Sequence, residues 1–442
     1  ISTMNKYLLF LAFAIFFNIN SSEAQKTKNS SENSALIAGP MISYIDNYHA
    51  QMWLLVSDQV KQVTIKLENF DEDRNKTLVY DITDPKSYNN SSWYDFYVSA
   101  FNNGVEIPLV LTIEELVPDT ECHVEIYLDS ILVEEEMDIY TPRNYLADTY
   151  FLLGHDLNIS DSTDNGDGIL DAMYEMESDF MVWMGNNVNF NEKEVNSFKG
   201  MLKKYESVRK REKVNRFMKC MPHIATWNEK DFGLNTSDTR FALKDSSLMA
   251  FNLYWPNAPK KTYNYSFREY GVYKKYDYED IEIFMLDNRM FKTELKIDEP
   301  HFFGDNQMNR FINEIMGSNA AFKFIVLGNS VLSPGEDQEP FKNYTQEYEE
   351  LMRRLHLSRI NGIIFITSDT KETALIKEER DYAYPMYELK FPGLSPKGNL
   401  EGNFARVKVE GENRKRICTL QVFDELGTEV FIKKIHQSEV SY

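Results

Sequence analysis

Polar residues gather at the ends of short apolar runs in the second half of the chain. Asn186-Asn187 follow the run 180–184, and Asp287-Asn288-Arg289 follow 281–286. Asn329-Ser330 follow 324–327, and Ser368-Asp369 follow 363–366. Runs apolar on both sides read as strands covered on both faces. Groups just past the carboxyl ends of such strands are where layered α/β domains bind ligands. Other chemistries lack their residues. There is no G-x-S-x-G elbow, no P-loop and no G-x-G-x-x-G. Cys122, Cys220 and Cys418 lie far apart with no CxxC pair and no Cys/His cluster, which excludes a zinc ribbon or an iron–sulfur site. All three are expected in the core.

Three weaker signals have plainer readings. Asp164-Asn165-Gly166-Asp167-Gly168-Ile169-Leu170-Asp171 resembles a calcium loop, but the EF-hand register puts Thr163 and Tyr174 where carboxylates are needed. A solvated acidic turn is expected there. Asn-x-Ser/Thr sequons at Asn89, Asn90, Asn235, Asn264 and Asn343 are expected by chance in a chain this rich in Asn. Lys199, Lys203, Lys204, Arg209, Lys210, Arg211, Lys213, Arg216 and Lys219 crowd one helical stretch. The interspersed Glu206 and Glu212 favour a solvated helix face over an anionic docking surface. His49, His123 and His301 read as ordinary surface or half-buried residues.

The elements that must position the polar clusters follow from the wider pattern. From 38 to about 140, apolar and polar residues alternate, as in Val63, Ile65 and Leu67, or Cys122, Val124, Ile126 and Leu128. With turn clusters between the runs, this predicts an N-terminal β-sandwich of the fibronectin III/Ig-like kind over 38–142. Helical stretches over 240–254, 305–316 and 346–355 separate the later apolar runs and predict a layered α/β core over 143–397. Alternation returns in Cys418, Leu420 and Val422, so 398–442 is expected to close the fold as C-terminal β-strands packing on the core.

The amino-terminal stretch reads as an export signal. Lys6 precedes eleven apolar residues over 7–17, and Ser22-Glu23-Ala24 offers a cleavage site. Residues 1–24 are thus expected to be removed, with 25–37 a flexible lead-in. Eleven residues are too few to span a bilayer, which takes about 20, and no later run is long enough. The mature chain is expected in the periplasm, on the outer membrane or at the cell surface. The 442 residues carry 48 Lys and Arg against 69 Asp and Glu, a net charge of −21. Such a surface repels phosphate backbones, so nucleic acid is not an expected partner.

In order and spacing, the clusters resemble the PhoD-type alkaline phosphatases and phosphodiesterases of the metallophosphoesterase superfamily. Gly39-Pro40-Met41 with Met52-Trp53 resembles the start of that family's N-terminal domain. The stretch 225–235 is similar to W-D-D-H-D-[FY]-G-x-N-D, and 284–289 to F-x-L-D-x-R. Gly304 and Gln307, with 318–323, resemble G-x-x-Q…S-x-A-x-F-K, and 362–369 resembles G-V-I-F-L-x-G-D-x-H. The resemblance implies an αββα core with metal ions on the strand-end loops, clamping a phosphate ester and generating the attacking hydroxide.

The departures fall on the implied metal ligands. Asp156 stands where the family has a cysteine. The G-D-N-x-Y loop reads Gly185-Asn186-Asn187-Val188-Asn189, so Asn186 replaces the bridging aspartate and Asn189 the tyrosine. Asn228, Glu229 and Lys230 replace Asp, Asp and His, Ser368 replaces a glycine, and Lys371 replaces a histidine. Asp231, Asn235, Asp287, Arg289 and Asp369 are retained. Asn brings no charge to a bridge, and a charged ammonium cannot ligate a metal. The expectation is a degenerate phosphatase without cofactor, its ammonium groups Lys230 and Lys371 pairing with Asp231, Asp369 or Asp156. Asp287 and Arg289 read equally as a structural ion pair. The implied role is a binding or scaffold subunit of an envelope assembly with protein partners, and a small-molecule substrate is not expected. The alternative is a divergent phosphoesterase holding a divalent metal such as calcium, with or without iron, on Asp156, Asn186, Asp231 and Asp369, with His155 a further ligand candidate. A carbohydrate- or surface-binding module is a third reading.

Overall fold

In the first described stretch, alternation and turn residues build two antiparallel sheets. The computed structural model describes residues 35–69, 72–83, 106–157, 168–257, 271–333, 340–368, 370–395 and 401–442. Strands β1 (Leu36–Ile45), β2 (His49–Val56) and β5 (Ile107–Glu114) form one sheet in the order β1-β2-β5. Strands β3 (Gln62–Asn69), β4 (Lys76–Asp81), β6 (Glu121–Leu128) and β7 (Ile131–Tyr140) form the other, β4-β3-β6-β7. Val63, Ile65 and Leu67 pair in register with Leu128, Ile126 and Val124. Those six side chains are buried in the same core cluster as Met52, Leu54, Leu109 and Leu111 from the first sheet. The expected export signal, Asn89, Asn90, Asn264, Asp369 and residues 164–167 of the expected acidic turn lie outside the described residues, while 168–171 open a helix rather than a turn.

The apolar runs build two larger sheets. The first joins β8 (Thr149–Gly154), β9 (Phe180–Met184), β10 (His223–Thr226), β17 (Asn403–Glu410), β18 (Ile417–Asp424) and β19 (Glu429–His436) in the order β10-β9-β8-β17-β18-β19. The closing strands are built into this sheet, because β17 pairs directly with β8. The second joins β11 (Lys274–Tyr278), β12 (Ile281–Met285), β13 (Phe322–Leu327), β14 (Ile363–Thr367), β15 (Ala374–Glu378) and β16 (Met386–Lys390) in the order β11-β12-β13-β14-β16-β15. Strands β12, β13, β14 and β16 are mutually parallel, as are β8, β9 and β10.

These sheets share a core. Phe151, Leu153, Val182 and Val407 of the first meet Ile283, Phe324, Val326 and Ile364 of the second. Helices cover the outer faces. Leu152, Met181 and Trp183 cluster with residues of α1 (Gly168–Tyr174), α2 (Glu192–Val195), α3 (Phe198–Arg209), α4 (Glu212–Lys219) and α6 (Lys244–Tyr254). Phe284, Ile325 and Phe365 cluster with α7 (Asp305–Met316) and α8 (Thr345–Leu357). On α7, Met308, Phe311, Ile312 and Ile315 recur at helical spacing and are all buried, so one stripe faces the sheet. The layers run helix, sheet, sheet, helix. Residues Ala35–Tyr442 form one compact unit. Among the described residues no helix is long and apolar enough to cross a membrane.

Two expectations need correction. Arg209, counted with the solvated basic face, is buried: its guanidinium lies 3.9 Å from the Trp255 ring and donates to the Tyr254 carbonyl at 2.8 Å. It falls on the apolar side of α3, where indole faces and a carbonyl replace water. Cys220 is exposed, because it caps α4 and its thiol only donates back to the Phe217 carbonyl. The remaining basic side chains do face solvent, and several are neutralised, as in Lys213–Asp171, Lys204–Glu194 and Lys219–Glu134.

Candidate functional site

The loops after β8, β9, β10, β12, β13 and β14 supply the candidate residues. Asp156 and Asn186 both adopt left-handed backbone, with φ of 57° and 53°, a conformation Asp and Asn tolerate better than most side chains. The two loops are tied together: Asp156 N donates to the Gly185 carbonyl and Leu157 N to the Asn186 carbonyl, both at 3.0 Å. Gly185 (φ +106°) must be glycine, since a Cβ there would sit 2.6 Å from Asn228 Cβ. A Cβ on Gly328 would come within 2.3 Å of Asn228 Cγ. Glycines thus clear space for Asn228 on both sides.

Asn228 is the hub. Its Oδ1 accepts from Asn288 Nδ2 at 3.0 Å, Arg289 Nη2 at 2.9 Å and Arg289 Nε at 3.2 Å. Its Nδ2 donates to the Gly328 carbonyl at 3.2 Å, which also receives Ser368 Oγ at 2.6 Å. Asn329 Oδ1 accepts from Asn288 Nδ2 at 2.6 Å and Arg289 Nη2 at 3.3 Å. Glu229 Oε2 lies 3.8 Å from Arg289 Nη2. Asn228, Asn288, Arg289, Asn329 and Ser368 are all buried. A guanidinium among amide oxygens satisfies its donors without a full counter-ion.

The aspartates serve the backbone. Asp231 lies in the short helix α5 (Glu229–Phe232). Its Oδ1 accepts from Val188 N at 3.0 Å and its Oδ2 from Asn228 N at 2.9 Å. Complete burial pushes its carboxyl up to about 7, although those backbone donors pull the other way. Asp287 accepts from Val272, Arg289 and Met290 N–H at 2.8–2.9 Å, and Gln307 clamps its peptide from both sides. Its carboxyl is likewise raised by burial. Asp287 therefore meets Arg289 through the Arg289 main chain, while that guanidinium reaches across to Asn228 and Asn329.

At the rim, Lys230 Nζ lies 3.3 Å from Asp156 Oδ1, with 13% and 17% of the two side chains exposed. Lys230 N donates to Asn186 Oδ1 at 3.1 Å. His155, adjacent in sequence, is buried and donates Nε2–H to the Phe391 carbonyl at 2.9 Å. Burial, with the Lys230 charge adding to it, lowers its pKa and keeps it neutral. Asn189 is half-buried. Asn235 is exposed on the turn after α5, and Lys371 is exposed past β14. Asn288 and Asn329 enter the network as strongly as Ser368 and the other residues singled out by resemblance. Their signal was the polar pair or triplet closing each apolar run.

A two-metal centre needs a bridging anion and open ligand oxygens. The donor set present does not fit it. Asn186 Oδ1 receives Lys230 N, Asn228 Oδ1 receives three donors, and each Asp231 oxygen receives a backbone N–H. Among the described residues, no group of three or more His, Cys, Asp and Glu is gathered to hold a metal ion.

No family model matches the sequence, and no curated protein matches it. Solved structures do. PhoD superposes with a TM-score of 0.63 at 10% identity, covering 91% of each chain. GAP50, described as the anchor in the inner membrane complex of Plasmodium, covers 65% of this chain and 89% of its own, at 12% identity and a TM-score of 0.43. A predicted phosphoesterase from Streptococcus pneumoniae covers 66% and 99%, at 7% identity and a TM-score of 0.27. At 10% identity the likeness to PhoD is one of fold: the chain is a mixed α/β protein with a PhoD-like, metallophosphoesterase-type architecture.

Proposed function

We propose that this chain is a pseudo-phosphatase: an exported protein of this fold, with an N-terminal β-sandwich, that serves as a binding or scaffold subunit of an envelope protein assembly rather than as a hydrolase. One observation carries the reading. Among the described residues, the oxygens of Asn186, Asn228 and Asp231 are spent on a guanidinium, an amide and backbone N–H groups and Asp156 faces the Lys230 ammonium, so no pair of carboxylates is left open there to bridge metals. Hydrolysis of a phosphate ester at neutral pH needs a strong nucleophile, and metal-bound hydroxide is this fold's source of one. An ammonium paired to a carboxylate supplies charge to the loops but no nucleophile. Export, and a place in the periplasm, on the outer membrane or at the cell surface, rest on the amino-terminal sequence pattern.

The test is turnover together with partnership. Purified protein incubated with bis-p-nitrophenyl phosphate and added Ca²⁺, Mn²⁺, Zn²⁺ or Fe²⁺/³⁺ should release no nitrophenol above a heat-inactivated control. Gentle solubilisation of envelopes from the native source should bring the chain down with other proteins. Metal-stimulated turnover that Asp156→Ala abolishes would replace this reading with the divergent hydrolase. Elution as a lone monomer would remove the scaffold role.

A further inference from the structure

Away from the strand-end loops, a groove of about 590 Å³ opens where the segment after β7 meets the β11–β12 turn. That volume suits a small ligand or a few sugar rings. Asn47, Asn144, Asn319, Asn413 and Gln437 line it, so five side-chain amides face one space. Among the described residues, the side chains of Asn144, Asn319 and Asn413 make no hydrogen bond. Along the wall, Tyr145 is 56% exposed, with Leu146 beside it.

Three carboxylates also line the groove, and each faces a cation that it shares with a second carboxylate, Glu282, Asp148 or Asp119. Asp277 lies 2.9 Å from Lys275, Asp280 lies 2.9 Å from Arg416 Nε, and Glu279 lies 3.7 Å from Arg143 Nη1. Each groove carboxylate is therefore engaged in an ion pair rather than left free for a cationic ligand. The Glu279 side chain is 2% exposed. Its Oε2 accepts from Thr149 Oγ1 at 3.1 Å, whereas Oε1 faces Arg143 beyond hydrogen-bond reach. Oε1 keeps acceptor capacity beside its ion pair with Arg143, and a ligand hydroxyl is a donor of the right size.

Planar amides and carboxylates take neighbouring hydroxyls two at a time, and a tyrosine ring packs against the C–H face of a sugar ring. We propose that this groove binds a neutral carbohydrate, with Tyr145 as the stacking platform and Asn144, Asn319 and Glu279 as hydrogen-bonding partners. It shares no residue with the strand-end network and does not depend on how that site is read.

The test is affinity electrophoresis of the mature chain through gels containing soluble neutral polysaccharides: starch, dextran, xylan, mixed-linkage β-glucan and galactomannan. Calorimetry follows with a hexasaccharide of any that retards it. At least one neutral polymer should retard the protein. Tyr145→Ala and Asn319→Ala, both at exposed positions, should weaken hexasaccharide binding by about tenfold or more each and leave the melting temperature unchanged. Free migration through every gel would overturn the proposal. So would retardation that neither variant alters, or retention by heparin or a lysine-rich peptide alone.

Discussion

The Lys230 ammonium sits 3.3 Å from the Asp156 carboxylate, at the rim of a network whose inner cation is Arg289. The two residues come from loops that follow different strands, so the pair staples the end of β8 to the end of β10. With under a fifth of either side chain exposed, each charge depends on the other for part of its solvation. Lys230→Gln should destabilise by about 1–2 kcal/mol, discounted for the remaining solvent access. Asp156→Asn should cost a similar amount, and the double variant less than the sum. Chemical denaturation of the four proteins gives the coupling directly; additive losses would mean the contact contributes nothing.

Asn228 presents the more severe case. Replacing it with Ala leaves Arg289, Asn288 and the Gly328 carbonyl each short of a partner inside the core. Several unmet buried groups make a loss of about 2–4 kcal/mol the expected outcome, read as a lower urea midpoint at constant m-value. A change under about 0.5 kcal/mol, within the range of ordinary surface substitutions, would show that the network relaxes around the gap.

Acid should find His223. Trp183 Nε1 donates to its Nδ1 at 3.1 Å and its Nε2 faces the Phe217 carbonyl at 3.1 Å, which fixes a neutral tautomer. Burial depresses its pKa to about 3. A folded value below the unfolded one, near 6.5, means the stabilisation is full above pH 6.5 and drains away as pH falls. By pH 5 about 2 kcal/mol should be gone. His223→Gln should flatten stability between pH 6.5 and 4; an unchanged acid limb would assign it to other groups.

Asp231 carries the opposite sign. Its folded pKa of about 7 lies above the unfolded value near 3.9. Its contribution is therefore fully present below pH 4 and lost as pH rises to 7, about 4 kcal/mol in all. Asp231→Asn keeps one backbone acceptor and removes the titration, so its stability should decline less between pH 4 and 7 than the parent's. Parallel curves would show that Asp231 titrates normally.

Much of the fold was legible because strands β9, β10, β13, β14 and β16 of the two large sheets are buried on both faces. The runs at 180–184 and 363–366 have no alternative reading once helical stretches separate them, and Phe180–Met184 and Ile363–Thr367 match to within a residue. The strand-end residues were legible by position. Their wiring was not. Nothing in the order of residues says that Arg289 turns from Asp287 toward Asn228 and Asn329, since those partners come from loops 61 and 40 residues away. Arg209 was misplaced for a related reason: its burial depends on Trp255, which reaches it only through the packing of α3 beside α6.

Metal stoichiometry tests the central claim most directly. The chain should be purified from its native source without chelators and its bound metals counted by plasma mass spectrometry. Oxygens committed to amides, backbone N–H groups and Lys230 predict no divalent metal at stoichiometric level, and no recovery of one after dialysis against Ca²⁺, Mn²⁺, Zn²⁺ or Fe²⁺. One or two tightly held ions per chain, lost on Asp156→Ala, would contradict the account.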